Sequence, residues 1–285
     1  MQAKALGLEA LGIADHDTLA GYDAACPVAA AEDLELICGV ELSTRPDAPD
    51  GSTKRERSVH VLGYFIEGSP AAGFRNWLES QQASRHQRNL DLVERLHELG
   101  VHIDLDEVRV YGRNQVGRPH FAKVLLARGY AGSLQEAFDV YLADDAKASV
   151  ARDEPALEEG IRRIREAGGI ASLAHPVRLP QRGDKLFELV RKLVDAGLQG
   201  IEVYHSEHRP EDCAEYMDLA RHFDLIPTGG SDFHGENKPE VRLGTGINRN
   251  VCLSYAFLDR IREMACAKSN GRSLTAEASP MRLRA

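Results

Sequence analysis

Short apolar runs that stop abruptly at polar residues recur along the chain, and amphipathic stretches separate most of them. Residues 8–14 end in Asp15-His16-Asp17-Thr18, residues 34–40 in Glu41, and residues 169–174 in His175-Pro176. Residues 200–203 end in Tyr204-His205, and residues 225–230 in Ser231-Asp232-Phe233-His234. Residues 59–66 read as a further strand with His60 near its start, and residues 243–247 as a last short one. Helical periodicity fills 154–167, 185–196 and 210–223, and Asp17 or Thr18 is placed to cap a helix running to Ala31. Strands alternating with helices predict an α/β fold with a parallel sheet. Polar residues stand at the ends of many different strands. That favours a β/α barrel, whose sites are assembled at the carboxyl ends of its strands, over an open sheet with one switch point.

Residues 74–146 break this rhythm. They carry helical patterns over 77–99, 104–111, 118–128 and 134–142 and no convincing buried strand. We therefore expect a discontinuous barrel of residues 1–81 and 148–267, a helical insertion over its mouth from 82 to 147, and a disordered tail from 268 to 285. Residues 1–6 followed by Gly7 read as the last turns of a helix with its glycine stop, so the chain is expected to begin part-way through a repeating unit.

Composition narrows the function classes. Hydrophobic residues make up 43% and charged residues 28%, with no run of transmembrane length and no signal-peptide succession at the N-terminus. The expectation is a soluble, cytoplasmic protein without a membrane partner. Cys26, Cys38, Cys213, Cys252 and Cys266 are odd in number and scattered, which indicates neither a disulfide framework nor a thiolate zinc site. A net charge of −9 argues against gripping duplex DNA through a broad basic surface. A small phosphorylated substrate remains compatible, because bound metal ions can supply positive charge locally.

Six candidate metal ligands emerge from the strand ends: His16, Glu41, His60, His175, Asp232 and His234. Imidazole and carboxylate mixtures suit manganese, iron and zinc. Each residue alone also has a plain reading. Asp15 and Asp17 suit helix caps, Pro176 suits a helix start, and Gly229-Gly230-Ser231 suits a tight turn. The weight of the reading lies in all six sharing one end of the expected barrel.

The ordered motifs D-H-D-T, G-V-E-L-S, V-H-V-L-G, A-H-P and S-D-F-H resemble the PHP (polymerase and histidinol phosphatase) superfamily, and within it the bacterial nucleoside phosphatases and 5′-to-3′ ribonucleases. The resemblance implies a distorted seven-stranded (β/α)7 barrel with up to three divalent ions, Mn2+, Zn2+ or Fe2+. It implies that Glu41 bridges two ions, with His60 and His175 completing one, Asp232 serving the other, and His16 with His234 holding the third. Arg118 and His120 in G-R-P-H-F, Arg178 after A-H-P, and His208 in Y-H-S-E-H resemble the family's phosphate and leaving-group contacts, with Arg118 and His120 reaching down from the insertion. Asp17, Arg118 and His208 are the catalytic candidates. Members of the family open with a strand carrying H-x-H and, shortly after, a ligand aspartate. This chain begins beyond all three, and the expectation is that the natural start lies upstream and that fewer than three ions are held here.

The expected activity is hydrolysis of phosphate monoesters by metal-activated water, on a 5′-mononucleotide, a 3′,5′-bisphosphate or a 5′-phosphorylated RNA end. Two rivals come from other classes: a catalytically impaired metal-binding or regulatory barrel, and an amidohydrolase-like C–N hydrolase. A serine hydrolase is disfavoured because no G-x-S-x-G elbow occurs.

Overall fold

The computed structural model describes residues 2–45, 58–112, 116–150 and 154–269. The chain divides into two compact units, Met1–Asp47 with Arg57–Arg75 and Pro155–Ala285, and Ala48–Glu56 with Asn76–Glu154.

The first unit is a mixed α/β structure around a curled six-stranded sheet in the order β1-β2-β3-β4-β5-β6. Its strands are β1 (Ala10–His16), β2 (Glu35–Thr44), β3 (Val59–Phe65), β4 (Ile170–Leu173), β5 (Gly200–His205) and β6 (Ile226–Gly230). A short α1 (Gln2–Ala5) precedes β1, and α2 (Ala20–Ala31) joins β1 to the parallel β2. The expectation of an all-parallel sheet is corrected at β3, which runs antiparallel to both β2 and β4. A parallel connection needs a crossover of about a dozen residues or more, usually a helix. The sequence between β2 and β3 instead carries the helix breakers Pro46, Pro49 and Gly51. The reversal has a functional consequence, because it brings the start of β3, and with it His60, to the same end as the carboxyl ends of the other strands.

The expected strand over 243–247 is also corrected. Arg242 and Gly246 pair across a turn there, with Gly244 and Gly246 at φ of 74° and 69°, and no ladder forms. The alternation Leu-Gly-Thr-Gly-Ile mimics a strand, but both glycines take the left-handed backbone that side chains disfavour.

The register sorts the two faces of the sheet. His16 lies opposite Glu41, Ser43 opposite His60, Leu62 opposite both Glu41 and Ser172, and Glu202 opposite Thr228. With a period of two, these side chains share the inner face. The other face is apolar, with Val40, Leu42, Val61, Leu173, Ile201 and Val203 all buried. It is covered by helices such as α7 (Leu157–Glu166) and α9 (Pro210–His222), while α8 (Asp184–Asp195) connects β4 to β5. In α7 the buried Leu157, Ile161 and Ile164 fall on one stripe, Glu158 and Glu159 stand in the first turn, and Arg163 and Arg165 in the last, which suits the helix dipole. The inner face is itself divided. Ile170 and Ile226, with Tyr64 and Ile66, are sealed by Met264 and Ile261 of the terminal helix Tyr255–Ser269, and polar side chains are left to the opposite end.

The second unit is helical. It holds most of α3 (Ala72–Glu98), then α4 (Leu105–Gly112), α5 (Arg118–Ala127), α6 (Leu134–Ala137) and a π turn at Phe138–Leu142. Its own core includes Leu96, Ile103, Val108, Phe121, Leu125 and Leu142. We call the terminal helix α10, counting from these. The expected tail lies outside the described residues from 270 onward.

Candidate metal centre

Three residues at strand ends adopt left-handed backbone, namely Asp17 (φ 54°), His175 (φ 25°) and Asp232 (φ 52°). Non-glycine residues hold such angles only where their surroundings over-determine them, and they gather at functional sites. Here each turns the chain sharply out of a strand and leaves a polar side chain at the polar end of the sheet.

Glu41 is the pivot. Its buried Oε1 lies 2.6 Å from His60 Nδ1 and 2.9 Å from His175 Nε2, and those two nitrogens are 3.2 Å apart. His16 Nε2 approaches the other oxygen at 3.7 Å, and the rings of His16 and His60 meet edge to face with centroids 4.9 Å apart. Burial works to raise the Glu41 carboxyl, but the charges of His16 and His60 and hydrogen bonds from His175 and His60 outweigh it and hold the group well below the usual carboxylate range. Burial lowers the His175 imidazole, against the pull of Glu41, which favours the neutral ring that ligates metals.

The donor geometry suits a cation. Nitrogen and oxygen ligands about 2.0–2.2 Å from a metal at right angles to each other are about 3 Å apart, and the Glu41, His60 and His175 atoms are separated by 2.6–3.2 Å. The ligating atoms of His16, Glu41 and His60 also lie within 4.8 Å of one another. One feature is less typical of a ligand set: His175 Nδ1 is buried without a partner among the described residues, so no neighbouring acceptor fixes the ring from behind.

A second cluster forms around Asp232. Its Oδ2 receives Lys238 Nζ at 2.6 Å and Arg178 Nη2 at 2.9 Å, with His205 Nε2 at 3.3 Å. Arg178 also grips Glu207, with Nε 2.9 Å from Oε2. His205 Nδ1 accepts the Glu207 N–H at 3.0 Å, so the neutral ring carries its proton on Nε2, facing Asp232. Burial opposes ionisation of Asp232, but His205 and Lys238 prevail and hold the carboxyl far below its ordinary value. His234 Nδ1 donates to the Asp232 carbonyl at 2.8 Å, and its ring centroid lies 6.3 Å from that of His16.

The remaining sequence candidates have their own partners. Asp17 accepts the Ser43 N–H at 2.7 Å and the Ser43 hydroxyl at 3.0 Å, tying the end of β1 to β2. His208 is buried, donates from Nδ1 to the Val203 carbonyl at 2.9 Å, and has Nε2 without a hydrogen-bond partner among the described residues. Burial pushes its imidazole down to about 4. Arg118 and His120 belong to the second unit: Arg118 binds Asp144 at 2.8 Å and the Leu142 carbonyl at 3.1 Å, and His120 Nδ1 accepts the Gly117 N–H at 3.1 Å. Three residues at these clusters were missed by the sequence reading, namely Glu202, His205 and Lys238. Glu202 had a signal, since an acid inside the apolar run Gly200-Ile201-Glu202-Val203 implies a buried polar group with a partner. His205 stood at a strand end already noted, and Lys238 had no distinguishing pattern.

No protein-family model matches the chain. Individual relatives do. A 5′-3′ exoribonuclease of Haemophilus influenzae is 30% identical over 82% of this chain and 82% of its own length. A phosphoribosyl 1,2-cyclic phosphate 1,2-diphosphodiesterase of Eggerthella lenta is 30% identical over 82% of this chain and 86% of its own. A solved structure described as a metal-dependent phosphoesterase of Bifidobacterium adolescentis superposes with a TM-score of 0.72 at 31% identity, covering 93% of this chain and 88% of that one. The chain belongs to the PHP-type phosphoesterase family. It is accordingly a phosphoric ester hydrolase, and a metal-dependent one. A Chromobacterium violaceum structure described as an amidohydrolase, with bound sulfate and no metal, has the same TM-score of 0.72 at 25% identity, covering 90% of this chain and 88% of that one. This PHP-type chain has no described helix long and apolar enough to cross a membrane.

Proposed function

We propose that this PHP-type hydrolase cleaves phosphate monoesters of nucleotides or of 5′-phosphorylated RNA ends, using divalent ions held at the polar end of its curled sheet. Glu41, His60 and His175 would hold one ion, Asp232 with Glu41 a second, and His16 with His234 a third. The observation that carries this reading is the convergence of one carboxylate oxygen and two imidazole nitrogens to mutual distances of 2.6–3.2 Å. Manganese, zinc or ferrous ions bound there supply an activated water and positive charge for the phosphoryl oxygens.

The protein's own groups have separate tasks. Arg178, whose forked guanidinium spans Glu207 and Asp232, receives the phosphate in this reading. His205 and Lys238 keep Asp232 ionised. His208, with Nδ1 held by the Val203 carbonyl and Nε2 bare among the described residues, contacts the phosphate or the leaving group through Nε2. For the substrate, relatives are named for RNA, for a cyclic phosphodiester and for a nucleoside bisphosphate, all phosphoesters of nucleotide or ribose-phosphate chemistry.

The test is a matched assay of metal-stripped and Mn2+- or Zn2+-reconstituted protein on a nucleoside 3′,5′-bisphosphate, a 5′-mononucleotide, a 5′-phosphorylated RNA oligomer and an amide. Metal-dependent release of phosphate or of terminal nucleotides, abolished by Glu41→Gln, is the expected result. Cleavage of the amide alone, or no turnover of any phosphoester by the reconstituted protein, contradicts it.

A further inference from the structure

Glu202 sits in the middle of β5, where neighbouring residues of the same strand are apolar, and only 4% of it is exposed. A carboxylate so placed has to find donors, because leaving it unpaired in an apolar interior is costly. Its Oε2 accepts the backbone N–H of His175 at 2.6 Å. That N–H belongs to the residue with the least comfortable backbone at the site, φ 25° and ψ 66°, and the following Pro176 restricts the same residue further. The conformation is what turns the chain out of β4 so that the imidazole, rather than the backbone, meets Glu41 and His60.

We propose that Glu202 is a positioning residue for the metal centre: its carboxylate clamps the His175 amide and holds the left-handed turn that aims the imidazole at Glu41 and His60. This rests on the reading of those three residues as metal ligands. Glu202 touches neither the ion nor the substrate and acts only through His175. Its partner is a main-chain group, so the clamp works on the direction of the whole residue. The required property is an acceptor at the Oε2 position, which glutamine retains and leucine lacks.

Affinity for Mn2+ and for Zn2+, measured by competition with a chelator, is compared in the wild-type chain, Glu202→Gln and Glu202→Leu, alongside thermal unfolding of each metal-free protein. Glu202→Leu is expected to weaken metal binding by roughly 10–100-fold, the range seen when a ligand's supporting partner is lost, and Glu202→Gln by less than about fivefold. Affinity in Glu202→Leu equal to that of wild type overturns the inference, as does an equal loss in both variants. If wild type itself binds no metal, the reading of the three ligands fails first, and this is seen before any variant is compared. Should Glu202→Leu not fold, amide hydrogen exchange on the unaltered protein still decides: the His175 amide is expected to be strongly protected and shifted downfield, and exchange at the rate of an exposed amide overturns the clamp.

Discussion

A single oxygen of Glu41 is approached by two imidazole nitrogens, while the other faces His16 at 3.7 Å. This economy explains which site residues were readable from the chain. His175 and Asp232 follow apolar runs at strand ends, and Glu41, three residues before the end of β2, interrupts one, so each announces itself against the apolar pattern. Glu202 lies inside its run, where a period of two assigns it to a face without saying that the face is polar. Asp17 illustrates a residue whose place is structural as much as chemical. Its carboxylate takes two donors from Ser43 in a buried setting, so Asp17→Ala leaves a main-chain N–H and a hydroxyl without their acceptor. We predict a stability loss of about 1–3 kcal/mol in urea unfolding of the metal-free protein. No measurable change would mean that water replaces the carboxylate at no cost.

At the scale of elements, the positions of six strands were foreseeable from apolar runs, but the direction of β3 was not, since hydrophobic alternation carries no polarity. Its reversal is compatible with the helix-breaking composition of the link before it, and without it His60 would lie at the far end of the sheet. The false strand at 243–247 arose from the opposite cause, an alternation enforced by glycines that serve a turn. Helix α7 shows how packing overrides propensity. An alanine at Gly160 would ordinarily favour a helix by about 1 kcal/mol, yet a Cβ there would sit 2.8 Å from Thr44 Cγ2 in β2. Thr44 is buried and its hydroxyl is held by the Val59 carbonyl at 2.6 Å, so it has little freedom to yield. Gly160→Ala is therefore expected to lower stability, by about 1–3 kcal/mol on the scale of overpacked cores. A rise in the unfolding midpoint would show that the sheet relaxes.

A second element contact concerns α10, which seals the apolar part of the inner face. Tyr255 and Arg262 of α10 both reach Glu35 at the start of β2. The Tyr255 hydrogen bond, then Arg262, outweigh burial and depress the Glu35 carboxyl below its ordinary 4.5. A depressed acid contributes stability in full above its unfolded value and loses it as pH falls through the folded one. The contribution of such a partly exposed pair is under about 1 kcal/mol. The stability difference between wild type and Glu35→Gln is thus expected to be present at pH 6, to shrink as pH falls below the ordinary glutamate value, and to vanish once pH is below the depressed one; a difference that grows toward acid would contradict the pairing.

For the molecule as a whole, a chain of net charge −9 belongs to a family that cleaves anionic esters. The tension resolves if the attraction is local. Net charge offers no broad hold on a polyanion, so under the proposed function affinity for phosphate is local, from bound cations and from arginines such as Arg178. That places the whole burden of the account on one point in space. The decisive measurement is anomalous scattering from crystals grown with Mn2+ or Zn2+. The account predicts an ion within about 2.0–2.2 Å of a Glu41 oxygen, His60 Nδ1 and His175 Nε2 together. A fully loaded crystal in which the ions sit elsewhere, with those three side chains bonded only to one another, would contradict it.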